Sequence, residues 1–363
     1  WRLARRDVPV TVLERHSPGA GASTVAAGML SPLKEAGEPG PFLDLGLRSL
    51  ERFPEFVREI ESCAGMEVGY RQDGRLDVAF TDQEAEVLRR QAGLQVDAGY
   101  DARLLEPAEL RRLEPEISEQ AALGLATELD HQVDTTRLMR ALWIAAQREG
   151  ATLRTGTGAV GVVVRDDPAR VTGVRLDSGD VLECDIAVVA AGAWAGGLDL
   201  PHPLPIRPVR GQIVVLRSVP PALRRVVWGP GGYLVPRSDG RILVGATMEE
   251  AGFLVEPTAG AVRDQLDHAI RVVPVLAGAD IDGFQVGLRP GAPDALPVLG
   301  PDSRTEGLFF ATGHLRNGIL LAPETAELLA SAILDDGAVP TAFAPERFGP
   351  DDTRSQGSEQ SLM

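Results

Sequence analysis

Apolar and polar residues follow two different patterns along this chain. In the first, β-branched and other apolar residues run together, as in "VPVTVLER" at 8–15 and "IAVVAA" at 186–191, which predicts strands buried on both faces. Residues 44–64 carry apolar side chains at helical spacing, and 134–150, "DTTRLMRALWIAAQREG", predict a capped helix. Strands that alternate with helices in this way are typical of an α/β unit built around a parallel sheet.

The second pattern is alternation, which is typical of antiparallel sheet. It covers "IRPVRGQIVVL" at 206–216 and "GYLVPRSDGRILVGAT" at 232–247, where Asp239–Gly240 predicts a hairpin turn. A helix is expected at 258–273, and another from about Ala322 to Leu334 that begins near Pro323. The polar tail 341–363 is expected to be disordered.

These patterns predict a mixed α/β fold in two units. The larger is a Rossmann-like dinucleotide-binding domain that lacks its first strand, and the smaller is an antiparallel-sheet substrate domain. We assign 1–68, 131–200 and 285–340 to the first unit, and 69–130 with 201–284 to the second.

The first strand ends on an acid, Glu14, whose carboxylate can accept both ribose hydroxyls of an adenosine. A surface acid after a strand is the simpler interpretation. In a dinucleotide-binding unit a G-x-G-x-x-G turn precedes such an acid by about 20 residues, which falls before Trp1. We therefore expect the sequence to be a fragment without this turn, and we expect it to fold marginally and to bind a dinucleotide poorly.

Composition narrows the function classes. The chain has 363 residues, with 36 basic and 52 acidic side chains and a formal charge of −16, which disfavours nucleic acid as a partner. Its two cysteines form no C-x-x-C motif and its five histidines form no i, i+4 pair, so neither disulfides nor a metal are expected. No apolar run reaches the ~20 residues of a membrane span. A cytoplasmic enzyme is the expectation.

Two glycine-rich segments could approach a ligand closely. The loop "GAGASTVAAGML" at 19–30 packs small residues together, so a planar or phosphate-bearing ligand could lie against its backbone. The segment 311–334, "ATGHLRNGILLAPETAELLASAIL", reads as a strand, a loop and a helix whose N-terminus, together with Arg316, suits an anion or an electron-rich ring. A capped helix with an incidental arginine is the alternative.

A third group of residues suits a carboxylate. Arg289 lies between glycines and prolines, so its guanidinium is held rigidly for bidentate binding, and Tyr233 could donate to the same oxygens. Met248 is the third member of the group. Structural roles are the alternative for each. The sequence contains no G-x-S-x-G elbow or kinase motif, so hydrolase and transferase functions lack a nucleophile.

Six stretches resemble the FAD-dependent glycine oxidases of thiamine biosynthesis, in the D-amino acid oxidase-like group, from about residue 3 to 335. They are "GASTVAAGML", "VVAAGAWAGGL", "PIRPVRGQIVVL", "YLVPRSDGRILVGATMEEAGF", "GLRPGAPDALPVLGP" and "GHLRNGILLAPETAELLA". The resemblance implies noncovalent FAD, a small amino acid or amine as substrate, and O2 reduced to hydrogen peroxide. It implies substrate-site roles for Arg289, Tyr233 and Met248. The implied FAD-contacting residues are Glu14, Arg15, Ser23, Ala26, Ala27, Gly28, Met29, Leu30, Val160, Gly192, Trp194, Gly313, Arg316, Asn317, Gly318, Ile319 and Leu320.

Within the resemblance, Glu14 would bind the ribose, 23–30 would run past the pyrophosphate and flavin, and 313–320 would border the flavin ring. The product imine would hydrolyse to glyoxylate or enter thiazole synthesis. A D-amino acid dehydrogenase, a sarcosine oxidase-like enzyme and a flavin-free binding protein stay open as alternatives. A homo-oligomer, such as a tetramer, stays open as the assembly.

Overall fold

The computed structural model describes residues 1–349, which form a mixed α/β fold. Short 3-10 turns occur at Ala4–Arg6, Gly192–Gly197, Pro274–Gly278, Thr341–Phe343 and Pro345–Arg347. The helices are α1 (Ala22–Val25), α2 (Pro32–Ala36), α3 (Pro41–Ala64), α4 (Asp82–Asp97), α5 (Pro107–Leu113), α6 (Thr135–Arg148), α7 (Ala259–Val272) and α8 (Gly318–Leu334).

The strands form one large sheet and several small ones. They are β1 (Thr11–Glu14), β2 (Met29–Leu30), β3 (Arg75–Ala79), β4 (Arg103–Leu105), β5 (Leu123–Thr127), β6 (His131–Gln132), β7 (Thr152–Thr155), β8 (Ala159–Asp166), β9 (Ala169–Leu176), β10 (Val181–Glu183), β11 (Ala187–Val189), β12 (Arg207–Arg217), β13 (Val226–Gly229), β14 (Gly232–Pro236), β15 (Arg241–Gly245), β16 (Asp280–Gly291), β17 (Val298–Pro301) and β18 (Leu308–Thr312).

Several helix ends follow directly from local sequence. Thr81 and Glu84 form a reciprocal capping box at the start of α4. The Asp134 carboxylate accepts the Arg137 N–H and so caps α6, and the Thr258 hydroxyl caps α7 in the same way. The predicted helices at 134–150 and 258–273 are thereby confirmed.

The large sheet has the order β16-β12-β15-β14-β13-β3-β5-β4. Its neighbours are antiparallel except for β13 and β3, and the Asp239–Gly240 turn joins β14 to β15 as predicted. One face packs against α7 and α5 through a core that includes Leu76, Val244 and Ala269. The opposite face packs against α4 at β3 and β5, and against Ala27 and Met29 at Tyr233 and Val235.

The α/β unit contains shorter sheets. Parallel strands β1 and β7 form one pair, and β11, β18 and β17 form another sheet in which β11 and β18 are parallel. Helices α3, α6 and α8 pack together around Phe53, Ile60 and Leu138. The parallel strands and their helices match the α/β pattern read from the sequence.

Three boundaries differ from the predictions. Helix α8 begins at Gly318 rather than near Pro323; Pro323 lies inside the helix, where it cannot donate to the Ile319 carbonyl, and the helix continues past it to Leu334. Strand β16 crosses the predicted domain boundary at 285, since its pairing with β12 continues to Gly291. Residues 341–349 are not a disordered tail, since Phe343 is buried in the α3–α8 core. Residues 350–363 lie outside the described part of the chain.

Candidate active site

A cavity of about 1450 Å³ lies between the large sheet and the small parallel sheets. It is larger than the ~300–1,000 Å³ that one drug-sized ligand occupies, so it has room for a large cofactor together with a substrate. Its walls come from the loop 19–29, strands β1 and β11, one face of the large sheet, and the segment between β18 and α8.

One row of residues across the large sheet forms a wall of this cavity. In the strand register Ile213 pairs with Gly245, Gly245 with Tyr233, and Tyr233 with Trp228. Directly paired residues of antiparallel strands share a face, so this row presents Tyr233 and Trp228 to one side. Trp228 and Tyr233 meet edge to face with ring centroids 5.1 Å apart.

Arg289 lies on the same face, over Gly211. Arg289 pairs with Val209, and Gly211 is the next residue of β12 on that face. A Cβ on Gly211 would lie 2.2–2.3 Å from the guanidinium atoms, so only glycine leaves room for this side chain. Arg289 Nη1 donates to the carbonyls of Arg210 at 3.3 Å and Thr247 at 3.0 Å. The guanidinium is therefore held in place by the backbone of its own sheet.

The guanidinium of Arg289 has no carboxylate within ion-pair distance among residues 1–349, although it borders the cavity. Burial lowers its pKa, against the opposing effect of Tyr233. A buried cation of this kind requires an anionic partner, and its planar fork suits a carboxylate. The site thus offers one unsatisfied positive charge to a ligand.

The phenol of Tyr233 is 9% exposed and also borders the cavity. Its ring lies over Gly245, where a Cβ would be 2.9 Å from the hydroxyl oxygen. Burial raises the pKa of Tyr233 to about 12. The hydroxyl is therefore protonated at neutral pH and can donate a hydrogen bond.

Glu35 on α2 and Arg316 after β18 form an ion pair in the cavity wall. Arg316 Nη2 lies 2.5 Å from Glu35 Oε2. The two atoms do not meet at a hydrogen-bonding angle, so charge attraction joins them. Glu35 is the more enclosed partner, with 9% of its side chain exposed against 42% for Arg316.

The N-terminus of α8 faces the cavity. Gly318 and Ile319 line it, and the Asn317 side chain makes no capping hydrogen bond, so the first-turn N–H groups are available to a ligand. Next to them, burial lowers the pKa of His314 to about 4, so this cavity-lining imidazole is neutral. The Leu315 N–H donates to the Pro290 carbonyl at 2.9 Å, which ties this segment to the end of β16.

The other end of the cavity is lined by backbone and small residues. Glu14 ends β1; one of its carboxylate oxygens accepts the His16 N–H at 2.8 Å, and the other has no partner among the described residues. Gly192 has φ +55°, and a Cβ there would project into open space, with no atom within 4 Å. A free acid, bare backbone and uncapped helix N–H groups together suit a dinucleotide with an electron-rich ring.

Most of the residues singled out from the sequence border this one cavity. They are Glu14, Arg15, Ser23, Ala26, Ala27, Gly28, Met29, Gly192, Trp194, Tyr233, Met248, Arg289, Arg316, Asn317, Gly318 and Ile319. Four do not line it: Leu30, Val160, Gly313 and Leu320. Leu30 and Leu320 are buried in the α3–α8 core, and the Val160 carbonyl accepts the Asp199 N–H.

Sequence reasoning missed Glu35, Trp228, His314 and Gly211 as members of the site. Gly211 lies inside "PVRGQIVV", where a glycine interrupts an alternating strand, and such a glycine signals close approach of another group. Glu35 carries no comparable local signal, because its partner Arg316 lies near the other end of the chain.

Comparison with known proteins identifies the family. Residues 1–332 match the family model described as FAD dependent oxidoreductase. The chain belongs to this family. FAD is the cofactor of the family, and the free Glu14 oxygen, the bare backbone at Gly192 and the N-terminus of α8 fit it. The predicted fold class is confirmed.

Two relatives of similar sequence are longer than this chain. The chain is 38% identical over 354 residues to the bifunctional protein ThiO/ThiG of Synechocystis sp., which covers 96% of this chain and 51% of that protein. It is 35% identical to the hydrogen cyanide synthase subunit HcnC of Pseudomonas aeruginosa, over 86% of this chain and 76% of that one. The chain thus spans about half the length of the bifunctional relatives.

Among solved structures, glycine oxidase from Geobacillus kaustophilus superposes with a TM-score of 0.89 at 32% identity, covering 96% of this chain and 94% of that one. Within residues 1–349 no helix is long and apolar enough to cross a membrane. In the same range no group of three or more His, Cys, Asp or Glu side chains could hold a metal ion.

Proposed function

We propose that this protein oxidises glycine and similar small amino acids or amines, using FAD and O2. The observation that carries the proposal is the Arg289 guanidinium, which borders the cavity without a carboxylate partner among the described residues. The 32% sequence identity to glycine oxidase from Geobacillus kaustophilus, which covers 96% of this chain, supports the same conclusion. Feeding of thiazole synthesis in the thiamine pathway is part of the proposal, and the relative named ThiO/ThiG supports it.

In this proposal Arg289 binds the substrate carboxylate through its free N–H groups, and Tyr233 donates a second hydrogen bond to the same oxygens. Binding places the amine-bearing carbon at a fixed distance from the cofactor side of the cavity, and such positioning supplies much of the rate. Trp228 and Met248 enclose the remaining space. FAD would supply the acceptor for the hydride that leaves the α-carbon as the C–N bond becomes C=N and the nitrogen loses a proton, and O2 with two protons would carry the electron pair away as hydrogen peroxide.

No strong acid or base is needed among the side chains of this site. His314 is neutral, so it adds no positive charge beside Arg289. The amine reacts in its neutral form, and the imine product hydrolyses to glyoxylate and ammonia or passes on to thiazole synthesis. We further propose a cytoplasmic location, which the unpaired Cys63 and Cys184 support, and a homo-oligomeric assembly.

The deciding experiment measures peroxide release and glyoxylate formation with glycine, sarcosine, D-alanine and D-proline. We expect glycine to be oxidised, with one molecule of hydrogen peroxide released for each molecule of glycine consumed. Substrate oxidation without peroxide would instead indicate a D-amino acid dehydrogenase, and preference for sarcosine would indicate a sarcosine oxidase-like enzyme. A full-length protein with no flavin absorbance after incubation with FAD would favour a non-catalytic binding protein.

A further inference from the structure

The two arginines near Tyr233 differ in how their charge is balanced. Arg289 has no carboxylate partner among residues 1–349, whereas Arg316 is paired with Glu35. Tyr233, Arg289, Glu35 and Arg316 all line the same cavity. Among the charged residues that line it, these two guanidiniums and this carboxylate are the ones that act on the pKa of the Tyr233 phenol.

We propose that Glu35 restricts the enzyme to substrates with a single carboxylate, because it occupies the second guanidinium of the site. The inference rests on the proposed function and adds a substrate class to it. With Arg316 neutralised, one cation remains, and it matches one carboxylate. Amino acids that carry a second carboxylate or a phosphonate would meet the Glu35 carboxylate instead of a free guanidinium.

Two physical effects act in the same direction. A second anionic group cannot displace Glu35 without separating an ion pair whose acid is largely enclosed, which leaves a buried charge unpaired. A second anionic group that enters beside the pair is repelled by the carboxylate. Removal of the negative charge reverses both effects, since the Arg316 fork then becomes available for bidentate binding.

The ion pair could instead serve only to tie α2 to the segment before α8. A purely structural tie predicts lower thermal stability when Glu35 is changed, with no change in the preference between one and two carboxylates. The two roles are therefore separated by a ratio of affinities rather than by stability or overall activity.

The test compares wild type, Glu35→Gln and Glu38→Gln as FAD-loaded proteins, titrated with acetate and with malonate by calorimetry. Glu38 is exposed just beyond α2 and does not line the cavity, so its variant makes the same change in net charge outside the site. For Glu35→Gln we expect the affinity for malonate relative to acetate to rise at least about tenfold, the size of one charge-assisted hydrogen bond. A ratio within about twofold of wild type overturns the proposal.

Turnover gives a second, independent readout. The kcat/KM for iminodiacetate relative to sarcosine is expected to rise about tenfold or more in Glu35→Gln, and Glu38→Gln should match wild type. The double variant Glu35→Gln with Arg316→Gln should lose the gain, since no second guanidinium remains beside Arg289 for the second carboxylate. Persistence of the gain in the double variant would contradict the role given to Arg316.

These results are separable from the proposed function. Wild type that oxidises neither glycine nor sarcosine rejects the proposed function, while the malonate-to-acetate ratio still decides the role of Glu35. Should Glu35→Gln fail to fold, Glu35→Asp retains the charge on a shorter side chain and weakens the pair. A rise of about threefold in the same ratio is then expected, and an unchanged ratio overturns the proposal.

Discussion

The substrate side of the cavity lies on one continuous sheet, whereas the cofactor side is assembled from separate small sheets and loops. On the substrate side Arg289 projects from β16 and Tyr233 from β14, with β12 and β15 between them in one eight-stranded sheet, and each lies over a glycine that leaves it room. On the cofactor side the wall is formed by Gly192, the loop 19–29 and the uncapped start of α8. In the proposed function the first side binds the substrate with side chains, and the second binds FAD largely with backbone.

This contrast has a consequence for substitutions. Changes on the sheet should alter kcat/KM while FAD stays bound, because in the proposed function the side chains there contact the substrate. Changes on the loops should alter FAD retention and leave KM of the loaded enzyme unchanged. A single variant that changes both the kcat/KM of the loaded enzyme and its retention of FAD would contradict this division.

The largest effect is expected for Arg289→Ala. Loss of the bidentate, charge-assisted contact should lower kcat/KM for glycine by at least ~3 kcal/mol, or more than about 100-fold, with flavin content unchanged. Peroxide release measures the first property and the flavin absorbance of the purified protein the second. Arg217→Ala is the control, because Arg217 ends β12, pairs with Asp282 and does not line the cavity. An unchanged KM and kcat would refute the carboxylate role.

The next effect concerns the room beneath that arginine. Gly211→Ala would place a methyl group 2.2–2.3 Å from the guanidinium atoms, so Arg289 must move. We expect a loss of about 2 kcal/mol in kcat/KM, by steady-state assay with glycine. Gly260→Ala on α7, where a Cβ meets no atom within 4 Å, should leave kcat/KM as in wild type. Equal activity of the two variants would mean that the guanidinium position is not critical.

A third prediction tests the cofactor side. Glu14→Ala removes the acid at the end of β1 and should weaken FAD binding by about 1.5–2 kcal/mol, since hydrogen bonds to a charged group are lost. Equilibrium titration of the apoprotein with FAD measures this, and KM for glycine in the loaded enzyme should stay the same. The exposed Glu116 supplies the matched control. If Glu14→Ala binds FAD with the affinity of wild type, Glu14 is only a surface acid after a strand.

The smallest effect is expected for Tyr233→Phe, at about 1 kcal/mol in kcat/KM for one lost hydrogen bond. Its pH dependence is more informative. Burial raises the pKa of Tyr233 to about 12, so the phenol keeps its proton, and its donor role, well above its ordinary pKa of 10.0. The ratio of wild-type to Tyr233→Phe activity should therefore stay constant from neutral pH to about pH 11. A fall in this ratio near pH 10 would contradict the buried position.

Residues that act through their own local sequence could be predicted, and those that act through a distant partner could not. Arg289 stands out between glycines and prolines, and the "DG" turn marks the pairing of β14 and β15. Glu35 has no such signal, because only the folded chain brings it to Arg316. The domain boundary predicted at 285 has no local signal either, since β16 crosses it and the pairing of β16 with β12 decides where this strand ends.

The hydrogen bond from the Leu315 N–H to the Pro290 carbonyl joins the residue after Arg289 to the segment that leads into α8. In the proposed function the backbone therefore fixes the separation between Arg289, which binds the carboxylate, and the start of α8, which borders the flavin ring. An α-amino acid has its reacting carbon next to the carboxylate, so this carbon fits the separation between Arg289 and the start of α8. A β-amino acid has one more methylene between its carboxylate and its amine-bearing carbon, which places that carbon beyond this separation. We therefore expect β-alanine to bind to Arg289 without being oxidised.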